Sequence, residues 1–265
     1  MYVFYPDLQA QTYEEFIKIS YDHWDKNNWP AAEESLIAAL RLEPGNRLNY
    51  LLLNNLGTIQ RRQGKFEEAL NSYSAALVQR PTDEVMLLNR AELFTEMDQL
   101  ENALFDYNAL LITSPDHEQG RYNRGILYIK TKEYLQAQTD FETIIEMNSE
   151  TFLGRFGYAI LEKARGKYDD SETIFNYLID KYPNNVRVLE ERAELFFLTK
   201  RNFRAMSDIN KVFAAVADPS AELFMLRGRI KLARSEKESA AIDFKKAQEI
   251  GYDNETVERL LKECY

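Results

Sequence analysis

At 265 residues with a formal net charge of −10, the chain lacks the surplus of Lys and Arg needed to neutralise nucleic-acid phosphates or an anionic membrane. A hydrophobic content of 45% suffices for a continuous core, whereas 10 glycines and 7 prolines are too few for a turn-rich sheet protein or a disordered chain. A lone cysteine, Cys264, permits no intrachain disulfide, and no run of about 18 apolar residues is present to span a membrane.

Residues 1–12 read as an N-terminal tail. Its start, MYVFYPDLQAQ, lacks the basic n-region and apolar core of a secretory leader. The cytoplasm is the expected compartment. If this stretch is the remnant of a leader, the expectation becomes the periplasm or the exterior.

From Tyr13 onward the chain repeats itself. The repeat windows are 13–46, 50–83, 84–117, 118–151, 152–185, 186–219 and 221–254. Successive starts lie 34 residues apart from Tyr50 to Val186; the first spacing is 37 and the last 35. The additions fall at Arg47–Asn49 and Ser220 beside Pro44 and Pro219, where a loop lengthens without disturbing helices.

With each repeat numbered from its start, position 8 reads Ser20, Gly57, Ala91, Gly125, Ala159, Ala193, Gly228. Position 20 reads Ala32, Ala69, Ala103, Ala137, Ser171, Ala205, Ala240. Small residues in both series imply two helices that cross closely, each giving up a side chain at the contact. Position 24, four residues on and on the same helical face, is bulky throughout, from Leu36 and Tyr73 to Phe244. Prolines at position 32 (Pro44, Pro81, Pro115, Pro183) stop the second helix. Polar turns such as Gln63-Gly64-Lys65 separate the two. Each repeat is therefore helix, turn, helix. Residues 255–265 carry Val257, Leu260 and Leu261 on one side and read as a helix capping the stack.

Leu56-Gly57, Phe66, Ala69, Tyr73, Ala76 and Pro81 resemble the tetratricopeptide repeat fingerprint, W-x₂-L-G-x₂-Y…A-x₃-F…P over 34 residues. The resemblance covers residues 13–254 and implies an all-α fold, a right-handed superhelical solenoid of antiparallel helix pairs. Departures lie at position 4 (Arg121, Arg155) and position 11 (Gln60, Glu162, Lys231).

One pair of positions covaries inside the chain. Position 7 is Arg90, Arg124, Arg192 and Arg227 in repeats three, four, six and seven; position 23 is Asp106, Asp140, Asp208 and Asp243 in the same four. The other repeats lack both charges. This pattern points to an Arg–Asp bridge from first helix to second, with the guanidinium fork gripping the carboxylate. An internal tie is the expected role, rather than a site for acidic ligands.

The resemblance further implies a protein-binding scaffold whose first helices line a concave groove. Position 6 there holds Asn55, Asn89 and Asn123, whose amides can bond the backbone of an extended peptide. This looks like an asparagine ladder, and it stops at Gly157. The competing role for these amides is to satisfy polar groups between adjacent helices. Tyr122, Ile126 and Ile129 of repeat four and Leu153, Phe156 and Ile160 of repeat five are expected to form an apolar patch, unless the solenoid itself or Tyr2, Phe4 and Tyr5 cover it. The pairs Glu92/Glu96 and Glu190/Glu194 read as solvated faces. Position 5 has no lysine and position 9 no asparagine, which argues against the carboxylate clamp some family members use on chaperone C-termini.

No catalytic motif, metal-ligand spacing or cofactor-binding loop is evident, and none is expected. The expected partner is a protein or peptide bound in an extended or helical form, not nucleic acid. The alternative is an assembly scaffold acting through its convex face or ends, including self-association.

Overall fold

In the computed structural model, residues 12–265 are described; Tyr2, Phe4 and Tyr5 lie outside that range. The described residues form fifteen α-helices and no strand. The first helices of the repeats are α1 (Tyr13–Asp25), α3 (Asn49–Arg62), α5 (Glu84–Glu96), α7 (Glu118–Lys130), α9 (Phe152–Ala164), α11 (Val186–Leu198) and α13 (Ala221–Ala233). The second helices are α2 (Trp29–Leu42), α4 (Phe66–Gln79), α6 (Leu100–Thr113), α8 (Tyr134–Met147), α10 (Tyr168–Lys181), α12 (Asn202–Ala215) and α14 (Lys237–Glu249). A last helix, α15 (Asn254–Cys264), packs on α14.

The chain divides into two compact units, one ending at Leu127 and the other beginning at Tyr128. In the first, each helix from α1 to α6 packs on the next, and α3 also meets α5. In the second, the same neighbour packing runs from α8 to α15, and first helices again touch: α9 with α11, and α11 with α13. Each unit is thus a stack of antiparallel helix pairs.

The small residues have a concrete packing role. All fourteen at positions 8 and 20 are buried, and so is every residue at position 24. A Cβ on Gly57 would meet the Tyr73 ring at 2.7 Å, and one on Gly228 would meet Phe244 at 2.6 Å. The position-24 ring therefore lies directly over the position-8 backbone of the same repeat. Burying such a ring contributes about 1.5–3 kcal/mol, and it is available only because the facing residue is small.

The turn between the two helices is built alike in every repeat. Position 15 is left-handed throughout: Asn27, Gly64, Asp98, Lys132, Gly166, Lys200 and Ser235 have φ between 54° and 78°. The following N–H returns to the carbonyl at position 11, as in Lys65 to Gln60, Lys167 to Glu162 and Arg201 to Phe196. This is the closure expected of a helix ending in a left-handed residue. It occupies the carbonyl that the ended first helix would leave open. Glycine is the unstrained choice at that position, and only two repeats have it.

The sequence's departures from the repeat pattern also find partners. Arg121 and Arg155 at position 4 donate back to the carbonyls of Pro115 and Ser149, tying the helix start to the preceding turn. At position 11, Gln60 accepts from Ser72 Oγ and donates to Glu33, while buried Glu162 pairs with Arg165 and Lys167. Lys231 sits 2.8 Å from Asp243.

Candidate functional site

In repeats three, six and seven the covarying charges meet. Arg90 donates from Nε and Nη2 to the two oxygens of Asp106 at 2.7 and 2.8 Å. Arg192 does the same to Asp208 at 2.8 and 2.9 Å, and Arg227 to Asp243 at 2.9 and 2.7 Å. All four aspartates, Asp140 on α8 included, are buried.

Three of the arginines also bond to the preceding repeat. Nη1 of Arg90, Arg124 and Arg192 reaches Ser74, Asn108 and Asn176, each at position 25 of the preceding repeat. One guanidinium thus pins first helix to second helix and both to the repeat before. In Arg90 and Arg192 all three guanidinium nitrogens thus donate to the protein itself.

The position-6 asparagines line the first-helix face of the unit that ends at Leu127, and each reaches back by one repeat. Asn55 Nδ2 donates to the Tyr21 hydroxyl (3.2 Å), Asn89 Nδ2 to Asn54 Oδ1 (2.9 Å) and Asn123 Nδ2 to Glu92 Oε1 (3.1 Å). Asn123 Oδ1 accepts from Gln119. The donors of the ladder therefore join adjacent first helices, while the carbonyl oxygens of Asn55 and Asn89 have no hydrogen-bond partner among the described residues and both side chains are partly exposed.

Beside the asparagines, Arg61 grips Glu92 (2.9 Å) and Glu96 (2.9 and 2.6 Å) of the next repeat. The Glu96 bonds, then Glu92, hold the guanidinium proton more firmly than usual against the opposing pull of burial. Glu92 is thereby shared between repeats two and four. Tyr73 sends its hydroxyl through to Thr58 at 3.0 Å, and burial raises the Tyr107 hydroxyl to about 12.

In the second unit, Lys163 plays the part of Arg61, contacting Glu191 at 2.5 Å and also Glu194. Burial lowers its pKa, but the two glutamates outweigh this and raise it. Glu190 is pushed above the ordinary carboxylate range by burial and by its neighbours Glu191, Glu194 and Glu222. The reading of Glu92/Glu96 and Glu190/Glu194 as solvated faces is refined accordingly: these side chains keep partial exposure, but Arg61 of the preceding repeat clamps Glu92 and Glu96, Lys163 of the preceding repeat bridges to Glu194, and Glu190 is crowded by Glu191, Glu194 and Glu222.

The apolar residues divide. Tyr122 is buried in the first unit, beside half-buried Ile126. In the second unit Phe156 is 2% exposed, stacked on Phe152 at 5.2 Å and covered by Arg187 at 4.9 Å. Ile129, Leu153 and Ile160 are half-buried. Tyr122 and Phe156 belong to the core and offer no surface; the four aliphatic residues offer part of theirs. Gly157 breaks the asparagine series because the Phe141 ring of the repeat before sits where its Cβ would be, at 2.3 Å.

Among the described residues, no group of three or more His, Cys, Asp and Glu side chains could hold a metal ion, and no helix is long and apolar enough to cross a membrane. His117 accepts from Gly120 N through Nδ1 at 3.0 Å at the start of α7. Cys264 is buried, its thiol directed at Leu260 O.

The sequence profile of the tetratricopeptide repeat matches residues 17–84 and 122–185. A solved tetratricopeptide repeat protein from Parabacteroides merdae is 53% identical, with a TM-score of 0.85, over 96% of this chain and 99% of that one. The chain belongs to the tetratricopeptide repeat family. More distant tetratricopeptide-like folds share the architecture alone. One is PilW, described as a type IV pilus biogenesis factor (18% identity, TM-score 0.64, 80% of this chain and 96% of that one). Another is a chain of the APC/C hetero-tetramer Cut9–Hcn1 (13%, 0.72, 95% and 46%). A search of the curated proteins finds no match. Tetratricopeptide repeats generally mediate protein–protein interaction.

Proposed function

We propose that this chain is a non-enzymatic scaffold that holds a peptide segment of a partner protein along the first-helix face of the unit ending at Leu127. The observation that carries the reading is the division of labour in the asparagines. Their N–H groups fix the spacing of neighbouring first helices, and the Asn55 and Asn89 carbonyl oxygens remain free acceptors one repeat apart. An extended peptide supplies backbone N–H groups at regular intervals and would satisfy such acceptors whatever its side chains. Exposed Leu51 and Val85, at position 2 of the same repeats, would add apolar contact.

Replacing Asn55 and Asn89 together by Ala tests the proposal. Each lost bond is partly exposed and contributes about 0.5–1.5 kcal/mol to the fold, so the variant is expected to remain folded while its affinity for a partner peptide falls. Unchanged affinity in a folded double variant would refute the acceptor role. Assembly through other surfaces is the second reading, supported by large apolar side chains left exposed on second helices, such as Phe105 and Ile112 on α6. Sedimentation across a concentration series separates the two: a monomer at all concentrations disfavours self-assembly.

A further inference from the structure

We infer that the outer face of α12 is a second docking surface, for an acidic segment of a partner protein. Along α12 the exposed side chains are Phe203, Arg204, Ser207, Asn210 and Lys211, with two alanines at the C-terminal end; its one acid, Asp208, is buried under Arg192. A helix face with cations and no exposed acid stands out in a chain of net charge −10. Phe203, 78% exposed, lies in the middle of the cationic groups: Arg234 is 4.7 Å above its ring, Lys200 precedes it in the turn, and Arg204 follows.

Clefts flank the helix on both sides. One, of about 270 Å³, is lined by Arg192, Arg204, Ser207 and Lys211 together with Glu172. The other, of about 280 Å³, is lined by Lys200, Asn202, Phe203 and Arg234 with Glu236. The acids in these clefts are already engaged: Glu172 is shared by Arg201 (2.5 Å) and Arg204 (3.4 Å), and Glu236 lies against Arg234. Lys200 and Lys211 pair with no acid among the described residues. In the second cleft, Arg234 Nε and Asn202 Oδ1 are the two buried side-chain polar atoms without a hydrogen-bond partner among the described residues. Glu236 Oε1 stands 2.9 Å from that Nε but off the N–H direction, so the contact is an ion pair and leaves the hydrogen bond unmade.

Arg204 and Lys211 are seven residues apart on one face, about 10.5 Å along the axis at 1.5 Å per residue. A polyproline-II segment advances about 3.1 Å per residue with three residues per turn, so carboxylates on every third residue fall on one face about 9.3 Å apart and match that spacing. The occupant is therefore an extended acidic peptide that also presents an apolar side chain to Phe203. This surface is independent of the asparagine face.

The test uses the full chain and a fluorescent twelve-residue peptide with Glu at every third position and one central Leu, read by anisotropy. Binding that weakens at least tenfold in R204E/K211E and several-fold in Phe203→Ala, with melting unchanged and with Asn55→Ala/Asn89→Ala binding as the parent does, supports the proposal. No measurable binding to the parent chain, or equal binding to the charge-reversed variant, overturns it. Tighter binding of a single-stranded oligonucleotide than of the peptide would also overturn it, by assigning the face to polyanionic nucleic acid.

Discussion

The Arg192–Asp208 tie gives the sharpest stability prediction. Asp208→Ala leaves the Arg192 guanidinium, whose side chain is 13% exposed, with Nε and Nη2 unpaired and only the Nη1 bond to Asn176 intact. Breaking a fully buried pair typically costs about 3–5 kcal/mol, because the surviving charge is stranded. The surviving charge here is the arginine, which retains one bond and some access to water. The low end, about 3 kcal/mol, is therefore expected. Removing both charges strands nothing, so Arg192→Met with Asp208→Leu is expected to fall within about 1–2 kcal/mol of the parent. Urea unfolding followed by circular dichroism measures both, and the slope shows whether the array still unfolds as one cooperative unit. A loss below about 1 kcal/mol for Asp208→Ala, or a double variant no better than the single, would refute the reasoning.

Three further outcomes follow from particular contacts. Gly157→Ala is expected to destabilise by about 1–2 kcal/mol: overpacking against the immobile Phe141 ring costs up to about 3 kcal/mol, and the better helix propensity of Ala returns about 1. A variant as stable as the parent in the same urea assay would mean the ring yields. Lys132→Gly relieves a left-handed residue at φ 64° and is expected to stabilise by about 0.5–1 kcal/mol, after the extra flexibility of unfolded glycine is subtracted; a loss of stability would contradict the strain assignment. Glu190, with its carboxyl raised by burial and by Glu191, contributes stability that is full below the unfolded carboxylate range and is lost as pH rises through its folded value. Glu190→Gln should therefore melt higher than the parent at about pH 8, with the gain shrinking toward about pH 4, the unperturbed carboxylate range. A gain independent of pH would point to another cause.

Much of the architecture was legible because it depends on residue size at a fixed position. Position 8 must be small wherever a ring at position 24 lies on it, so Gly57 with Tyr73 and Gly228 with Phe244 announce themselves in the sequence. The arginine–aspartate ties were legible for a similar reason: both charges occur and vanish together. The third bond was hidden because position 25 supplies it through unlike residues, Ser74, Asn108 and Asn176. The left-handed turn was hidden for the converse reason, since five of seven repeats tolerate it without glycine. The ion pairs of the partly exposed Glu92 and Glu194 were hidden because their cations, Arg61 and Lys163, come from the preceding repeat, 31 residues earlier in each case. Helical periodicity pairs residues within one helix and carries no information about such neighbours. Tyr122 and Phe156 share the helical face of partly exposed neighbours yet are buried, Phe156 beneath Arg187, a partner its own helix does not reveal.

The peptide-holding role of the first-helix face is tested most directly by photo-crosslinking within one repeat. A benzophenone side chain is placed at Leu51 on α3 or at Val78 on α4, both exposed, and the chain is irradiated with a partner co-purified from its native source. The account predicts crosslinks from Leu51 that are lost when Asn55 and Asn89 are replaced by Ala, and few from Val78. Crosslinks from Val78 alone, or a Leu51 crosslink indifferent to the two asparagines, would contradict it.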